Sequence, residues 1–174
     1  MNTGKTTLLK QGRTFRFVEQ EIVRPDGRVS TIDKVEHPGA VVIMPVDNDG
    51  RLIILKQFRP ALMQTIYEFP AGTLEPGEVP ELCAKRELAE EIGKAAARWV
   101  NLGVLYPAPG FCDELQYCYF ASGLSDAHAE MDADEVIEPE RMTVGEVEAA
   151  IAGGDIRDGK SLAIFLRARL ARLV

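Results

Sequence analysis

Short blocks of hydrophobic residues, separated by turn-forming residues, run along most of the chain and predict an ordered series of strands and helices. Two apolar runs, Ala40 to Val46 and Leu52 to Leu55, flank the sequence Asp47-Asn48-Asp49-Gly50 and predict a hairpin. A weaker hairpin is predicted around Pro25-Asp26-Gly27. Further strands are predicted in IYEFPAG, RWVNLGVLYP and LQYCYFASGL, and the acidic segment HAEMDADEVIEPE leaves room for one more. This order, with helices between and after the strands, indicates a mixed sheet flanked by helices.

Two helices are predicted in the last quarter of the chain. Thr143 with Glu146 three residues later is a capping box, which predicts the start of the first. In the second, KSLAIFLRARLARL, apolar side chains recur at helical spacing and predict a stripe that faces the core or an interface. That stripe consists of Leu162, Phe165, Leu166 and Leu170.

The segment GTLEPGEVPELCAKRELAEEIG begins as a Gly/Pro loop and ends as a helix that carries three carboxylates close together. At about 100° per residue, Glu87, Glu90 and Glu91 fall on an arc of roughly 80° to 180° from Leu82. On the same helical projection, the apolar residues fall on the adjacent arc and predict a face toward the core. They are Leu82, Ala84, Leu88, Ala89 and Ile92. The acids lie in the last turns, where the helix dipole disfavours negative charge. A solvated acidic face is one interpretation, and a site for Mg²⁺ or Mn²⁺ is the other.

Composition narrows the classes of function. The net charge of −7 argues against a nucleic-acid binder and against an anionic-membrane binder, although a bound cation would still permit an anionic substrate. No apolar run reaches the roughly 20 residues of a membrane span, and the first residues show no secretory pattern. Three cysteines without CxxC spacing indicate reduced thiols, so we expect a cytoplasmic protein.

The loop and helix also match a known motif. Gly72, five residues, Glu78, seven residues and then RELAEEIG resemble the Nudix box of the Nudix hydrolases, with Lys94 as a departure at a packing position. The resemblance implies an α/β fold, the Nudix α/β/α sandwich with a mixed sheet. It also implies an N-terminal antiparallel β-hairpin, residues 1–38, used in dimerisation, ahead of a Nudix hydrolase domain, residues 39–174.

The resemblance implies a metal site with unequal ligands. Glu87 and Glu91 are expected to be the main ligands, Glu90 to assist them, and the backbone carbonyl of Ala71 to complete the site. Two or more Mg²⁺ or Mn²⁺ ions per site are expected.

The remaining catalytic residues are expected around the same helix and in an acidic loop. Arg86 is expected to orient the acids and to pair with Glu78, so that Arg86, like the main ligands, counts as catalytic. The resemblance implies that the general base comes from an acidic loop after the last core strand, here HAEMDADEVIEPE. Glu135 is the first choice for the base, with Asp134 and Asp132 as alternatives.

Sequence outside the box resembles the branch that hydrolyses nucleoside diphosphate sugars, above all ADP-ribose pyrophosphatases. The similarities are QFRP, EFPAG, and a proline sixteen residues after Gly93 within YPAPGFCDE. They imply substrate contacts from Arg59, Glu68, Pro109 and Glu114.

The function expected is metal-dependent hydrolysis of ADP-ribose to AMP and ribose 5-phosphate by a homodimeric Nudix pyrophosphohydrolase. Two alternatives stay open at this point. One is hydrolysis of another nucleotide sugar, a GDP- or ADP-hexose. The other is a catalytically silent module that senses a nucleotide.

Overall fold

A computed structural model describes residues 3–129 and 136–174, which form a layered α/β domain and a small N-terminal sheet. The strands are β1 (Thr3–Gln11), β2 (Arg16–Val23), β3 (Val29–Glu36), β4 (Ala40–Val46), β5 (Leu52–Arg59), β6 (Gln64–Glu68), β7 (Ala71–Thr73), β8 (Lys94–Leu105), β9 (Gln116–Asp126) and β10 (Ile137–Met142). The helices are α1 (Pro80–Ile92), α2 (Val144–Gly153) and α3 (Gly159–Leu170).

The larger sheet is mixed and has β4 at its centre. Its strand order is β10-β5-β4-β9-β8, with β6 paired to β5 and β7 paired to β4. Every residue of β4 is buried, as its unbroken apolar sequence predicts for a strand that is covered on both faces. β4 runs parallel to β9 and antiparallel to β7, and this brings the short β7 beside the middle of the sheet.

Helices cover both faces of this sheet. Alternate residues of β4 point to opposite sides. Val41 and Ile43 pack with Leu88 of α1, whereas Val42 and Met44 pack with residues of α2 and α3. The predicted α/β/α sandwich with a mixed sheet is therefore confirmed. None of the described helices is long and apolar enough to cross a membrane.

The N-terminal sheet has three antiparallel strands in the order β1-β2-β3, so the predicted hairpin, β2 with β3, has an additional strand. The sequence of β1, TGKTTLLKQ, is mostly polar and gives little strand pattern. The sheet is attached to the domain where Val35 exchanges backbone hydrogen bonds with Phe111 (2.8 Å) and Asp113 (3.1 Å). The boundary between residues 1–38 and 39–174 stays a prediction.

The predicted core face of α1 is confirmed at Ala84 and Leu88 and wrong at Leu82, which is 57% exposed. The buried residues of α1 are Cys83, Ala84, Leu88 and Glu91. This buried arc belongs to a helix that packs against β4, β7 and β8. One of the three acids is consequently part of the buried face.

The C-terminal helices agree with prediction at their start but not along the whole stripe. Thr143 and Glu146 form the capping box, with the Glu146 N–H donating to Thr143 Oγ1 at 3.2 Å. In α3, Leu166 and Leu170 are exposed although Phe165 is buried. The buried residues of α3 are Ser161, Ile164, Phe165 and Ala168. This arc is offset from the leucine stripe, so Leu166 and Leu170 do not face the core. That they face an interface, the other part of the expectation, stays a prediction.

Candidate active site

The loop between β7 and α1 folds the last turns of the helix against the strand. α1 begins at Pro80, whose fixed φ suits the first helical position, and it ends at Gly93, which has the left-handed conformation (φ 64°). The Gly93 N–H donates to the Ala89 carbonyl at 3.0 Å. α1 contacts β7, and Glu87 and Glu91 at its acidic end lie against Gly72 and Ala71 of that strand.

The side chain of Glu87 packs so closely against the backbone of residue 72 that only glycine fits there. A Cβ atom placed on Gly72 would lie 1.8 Å from Glu87 Cδ and 1.9 Å from its Oε1. The carboxylate of Glu87 therefore occupies the space that any other residue at position 72 would need. This contact explains a glycine at the start of the box in physical terms.

Arg86 is the hub of the acidic cluster. Its Nε donates to Glu78 Oε1 and its Nη2 donates to Glu78 Oε2, both at 2.9 Å. Its Nη1 donates to Glu87 at 2.7 Å and to Glu90 at 2.9 Å. Nη2 also reaches the Thr73 carbonyl at 3.2 Å. Hydrogen bonding from Arg86 lowers the pKa of Glu78 to about 2, and hydrogen bonding to Glu78 in turn raises the pKa of Arg86. The predicted pairing of Arg86 with Glu78 is present.

Glu91 differs from the other acids because it is only 3% exposed. Its Oε2 accepts a hydrogen bond from the backbone N–H of Ala71 at 3.0 Å. This bond ties the carboxylate to β7, next to the carbonyl that the sequence assigns to the metal site. A buried carboxylate beside a strand end is a suitable ligand for a hard cation.

The four expected ligands thus lie together, and their oxygen chemistry fits Mg²⁺ or Mn²⁺. Within residues 3–129 and 136–174, however, no three acidic, histidine or cysteine side chains converge closely enough to enclose an ion. Glu87 and Glu90 accept hydrogen bonds from Arg86, while Glu91 accepts one from the Ala71 N–H.

Two cavities meet at β7. The first, here called the acidic cavity, has a volume of about 300 Å³ and is lined by Arg86, Glu87 and Glu90. The second, here called the polar cavity, has a volume of about 510 Å³ and is lined by His37, Glu114, Gln116 and Lys160. Both cavities are also lined by Arg59, Ala71, Gly72 and Thr73. An elongated ligand that crosses β7 would therefore occupy both cavities.

Arg59 is held in place by Glu68. The two side chains form a bidentate pair, with Arg59 Nε donating to Glu68 Oε1 at 2.6 Å and Nη2 donating to Oε2 at 2.8 Å. Lys160 also bonds Glu68 Oε2 and pairs with Asp158 at 3.0 Å. Glu68 is 1% exposed, so it lies behind the two cations, which favours a positioning role over the direct substrate contact expected from sequence.

Two cations at the site were not among the residues expected from the sequence. Lys160 lies at the start of α3, where Asp158 caps the helix by accepting a hydrogen bond from the Ser161 N–H at 3.0 Å. Arg13 lies in the β1–β2 loop and lines the acidic cavity. The capping pattern around Asp158 could have located the start of α3. Nothing in the local sequence could have shown that the N-terminal sheet brings Arg13 to the acids.

The other expected residues differ in placement. Glu114 lines the polar cavity. Pro109 is exposed and lines a separate small cavity with Lys34 and Phe111, so it does not border either of the two main cavities. Glu135, the first choice for the base, lies outside the described residues, as do its alternatives Asp134 and Asp132.

Comparison with known proteins agrees with this fold. The NUDIX domain family matches residues 35–163, which is most of the 174-residue chain. The protein therefore belongs to the Nudix family.

Relatives with assigned names include enzymes that act on ADP-ribose and a protein with a different assigned role. An ADP-ribose pyrophosphatase from Bacillus subtilis (strain 168) is 36% identical over 152 residues, covering 86% of this chain and 82% of the relative. A methanol dehydrogenase activator from Bacillus methanolicus is 35% identical over 162 residues, covering 92% and 88%. The solved structure of an ADP compounds hydrolase superposes with a TM-score of 0.82 at 21% identity, covering 97% of this chain and 91% of that one. At that identity the structural likeness supports the fold alone.

Proposed function

We propose that this protein hydrolyses the pyrophosphate bond of ADP-ribose to AMP and ribose 5-phosphate with Mg²⁺ or Mn²⁺. One observation carries the proposal: Glu87 lies over Gly72, and Glu91 is bonded to Ala71, at the place where the acidic and polar cavities meet. A diphosphate at that junction would have acids on one side and a cavity for a sugar on the other. The relative from Bacillus subtilis supports the choice of ADP-ribose.

The residues of the junction have complementary tasks. Glu87, Glu90 and Glu91, with the Ala71 carbonyl, hold the ions, and two or more ions per site suit this number of oxygens. Bound ions would withdraw charge from the phosphoryl oxygens and lower the pKa of the attacking water. Arg59, which forms two hydrogen bonds with Glu68, is proposed to bind a phosphate oxygen, because a guanidinium group suits that ligand.

The general base is proposed to be Glu135. A base must come within about 3 Å of the attacking water, and the resemblance assigns this role to the acidic loop that contains Glu135. Replacing Glu135 by Gln should lower kcat at least about 100-fold, because general-base catalysis contributes that much or more. The matched variants Asp134→Asn and Asp132→Asn should keep most of the activity. If one of them loses activity while Glu135→Gln retains it, the base is that aspartate.

The choice of ADP-ribose as the substrate is tested by comparing it with other nucleotide sugars. The likeness to the methanol dehydrogenase activator is of similar extent to the likeness to the ADP-ribose pyrophosphatase. A panel of ADP-ribose, ADP-glucose and GDP-mannose, scored by kcat/KM, separates the proposal from the GDP- or ADP-hexose alternative. Saturable binding of ADP-ribose without turnover would instead identify a nucleotide-sensing module.

The assembly is proposed to be a homodimer formed through the N-terminal sheet. That sheet leaves Leu8, Leu9, Phe15 and Phe17 exposed, and large exposed apolar side chains are typical of an interaction surface. Sedimentation velocity should give the mass of a dimer, and the double variant Phe15→Ser, Phe17→Ser should give a monomer. A monomer for the unaltered protein would contradict this. A cytoplasmic location is proposed because Cys83, Cys112 and Cys118 are all free thiols.

The experiment that tests the proposed site replaces the buried ligand. Glu91→Gln keeps the size of the side chain but removes the charge that a metal ion needs. We expect AMP formation from ADP-ribose to fall at least about 100-fold, while circular dichroism shows a retained fold. The matched control is Glu81→Gln, an exposed acid in the first turn of the same helix. Full activity in Glu91→Gln would refute the metal assignment.

A further inference from the structure

Gln116 is a buried polar residue that the catalytic acids and arginines leave unexplained. It is the first residue of β9 and is only 7% exposed. In register it pairs with Ala40 of β4 and Leu105 of β8, and all three line the polar cavity. Residues that face each other across neighbouring strands point to the same side of a sheet. The Gln116 side chain is therefore on the face that borders α3 and Lys160.

Chemistry fixes which end of the Gln116 carboxamide faces which neighbour. Its Nε2 donates to Glu114 Oε1 at 2.7 Å. A carboxylate only accepts hydrogen bonds, so the nitrogen must face Glu114 and the oxygen must point away from it. That oxygen, Oε1, is buried and has no hydrogen-bond partner among residues 3–129 and 136–174. A buried acceptor without a donor is unfavourable, because its contact with water has been lost without replacement.

The neighbours of Gln116 indicate which kind of ligand supplies the missing donor. His37 Nδ1 accepts a hydrogen bond from the Gly39 N–H at 3.1 Å, which leaves the ring proton on Nε2 as a donor. Together with Arg59 and Lys160, His37 adds donors to the acceptors Glu114 and Gln116 around one cavity. Sugar hydroxyls both donate and accept. Among the described residues that line the cavity, Tyr106 has the one phenol ring and is 63% exposed, so a base has little to stack on.

We propose that Gln116 is a specificity-determining residue whose Oε1 accepts a hydrogen bond from a hydroxyl of the substrate's terminal sugar. This inference rests on the proposed function, because the sugar reaches the polar cavity only if the diphosphate lies at β7. Glu114 holds the carboxamide in the required orientation. A sugar that lacks the hydroxyl leaves Oε1 unpaired, and the protein rejects it for that reason.

The test compares ADP-ribose with two analogues, each lacking one hydroxyl of the terminal ribose, by kcat/KM. For the unaltered protein we expect one analogue to be about 10- to 100-fold poorer than ADP-ribose, the usual effect of one unpaired buried acceptor. In Gln116→Leu, kcat/KM for ADP-ribose should fall by a similar factor. The same variant should turn over ADP-ribose and that analogue about equally well, because the acceptor that distinguished them is gone.

A matched control separates recognition from folding. Gln57 is a second buried glutamine of the same sheet and borders neither main cavity. Gln57→Leu should leave the ratio between ADP-ribose and the analogue as it is in the unaltered protein. A ratio that persists in Gln116→Leu, or an unaltered protein that does not distinguish either analogue, would overturn the inference.

If the proposed function is wrong, the same experiments give a different result. If the unaltered protein releases no AMP from ADP-ribose, hydrolysis is refuted, and the same ratio is measured by calorimetric binding of ADP-ribose and the analogues. A binding ratio that disappears in Gln116→Leu would then support the role of Gln116 without catalysis. Absence of any ADP-ribose binding would overturn both proposals.

Discussion

Replacing Gly72 by alanine tests the geometry of the site at its most crowded point. The added Cβ would lie 1.8 Å from Glu87 Cδ, 1.9 Å from Oε1 and 2.4 Å from Cγ. Carbon atoms in contact are normally about 3.5 Å apart, so the carboxylate would have to move by roughly 1.5 Å. The clashing atoms are the end of a flexible side chain. We therefore expect the fold to survive and the ligand to be displaced.

The expected cost follows from that displacement. A misplacement of about 1 Å at a reacting centre can lower a rate about 100-fold, which corresponds to about 2.7 kcal/mol in the activation free energy. Gly72→Ala should therefore lower kcat for ADP-ribose at least about 100-fold. Its midpoint of thermal unfolding should change by only a few degrees.

The matched control is Gly145→Ala in α2, where an added Cβ meets nothing within 4 Å. This variant should keep full activity and be slightly more stable, since alanine is the better helix former. The assay is steady-state AMP release, with thermal unfolding measured on the same samples. If Gly72→Ala keeps nearly all its kcat, Glu87 does not need its position over β7, and the reasoning is refuted.

Two further predictions concern the ion pairs that support the site. Because Arg86 lowers the pKa of Glu78 from 4.5 to about 2, their pair stabilises the fold above pH 4.5 and is lost as the pH falls toward 2. Glu78→Gln should lower the free energy of unfolding at pH 7 by up to about 3 kcal/mol, and its difference from the unaltered protein in urea titrations should shrink below pH 4.5. A difference that stays constant down to pH 2 would contradict this origin. Glu68→Gln removes the partner that orients Arg59 and Lys160, so KM for ADP-ribose should rise about tenfold with a smaller change in kcat. A lower unfolding temperature with an unchanged KM would show that Glu68 serves the fold alone.

The parts of the site that sequence could predict are those fixed by short-range geometry. Gly72 in β7 is followed directly by the loop and helix that carry Glu78, Arg86 and Glu87, so these residues are close along the chain. Their match to the Nudix box predicted the contacts that the structure has among them. The central strands were equally predictable. In β4 an unbroken apolar run has few ways to be buried other than in the middle of a sheet.

What sequence could not predict depends on how separate elements pack. The helical wheel treated hydrophobic residues as buried and acids as exposed, yet α1 exposes Leu82 and buries Glu91 because its contact face is set by β4 and β7. Gln116 and Lys160 reach one cavity from β9 and α3, and Arg13 reaches the acids from the N-terminal sheet. These positions follow from strand pairing across many residues, which local patterns do not contain.

The most direct test of the account is product analysis with the unaltered protein. ADP-ribose is incubated with the protein and Mg²⁺ or Mn²⁺, and the products are separated and quantified by chromatography. We predict AMP and ribose 5-phosphate in equal amounts, no product in the presence of EDTA, and recovery when metal is restored. Products other than this pair, or an undiminished rate in EDTA, would contradict a metal-dependent ADP-ribose pyrophosphatase.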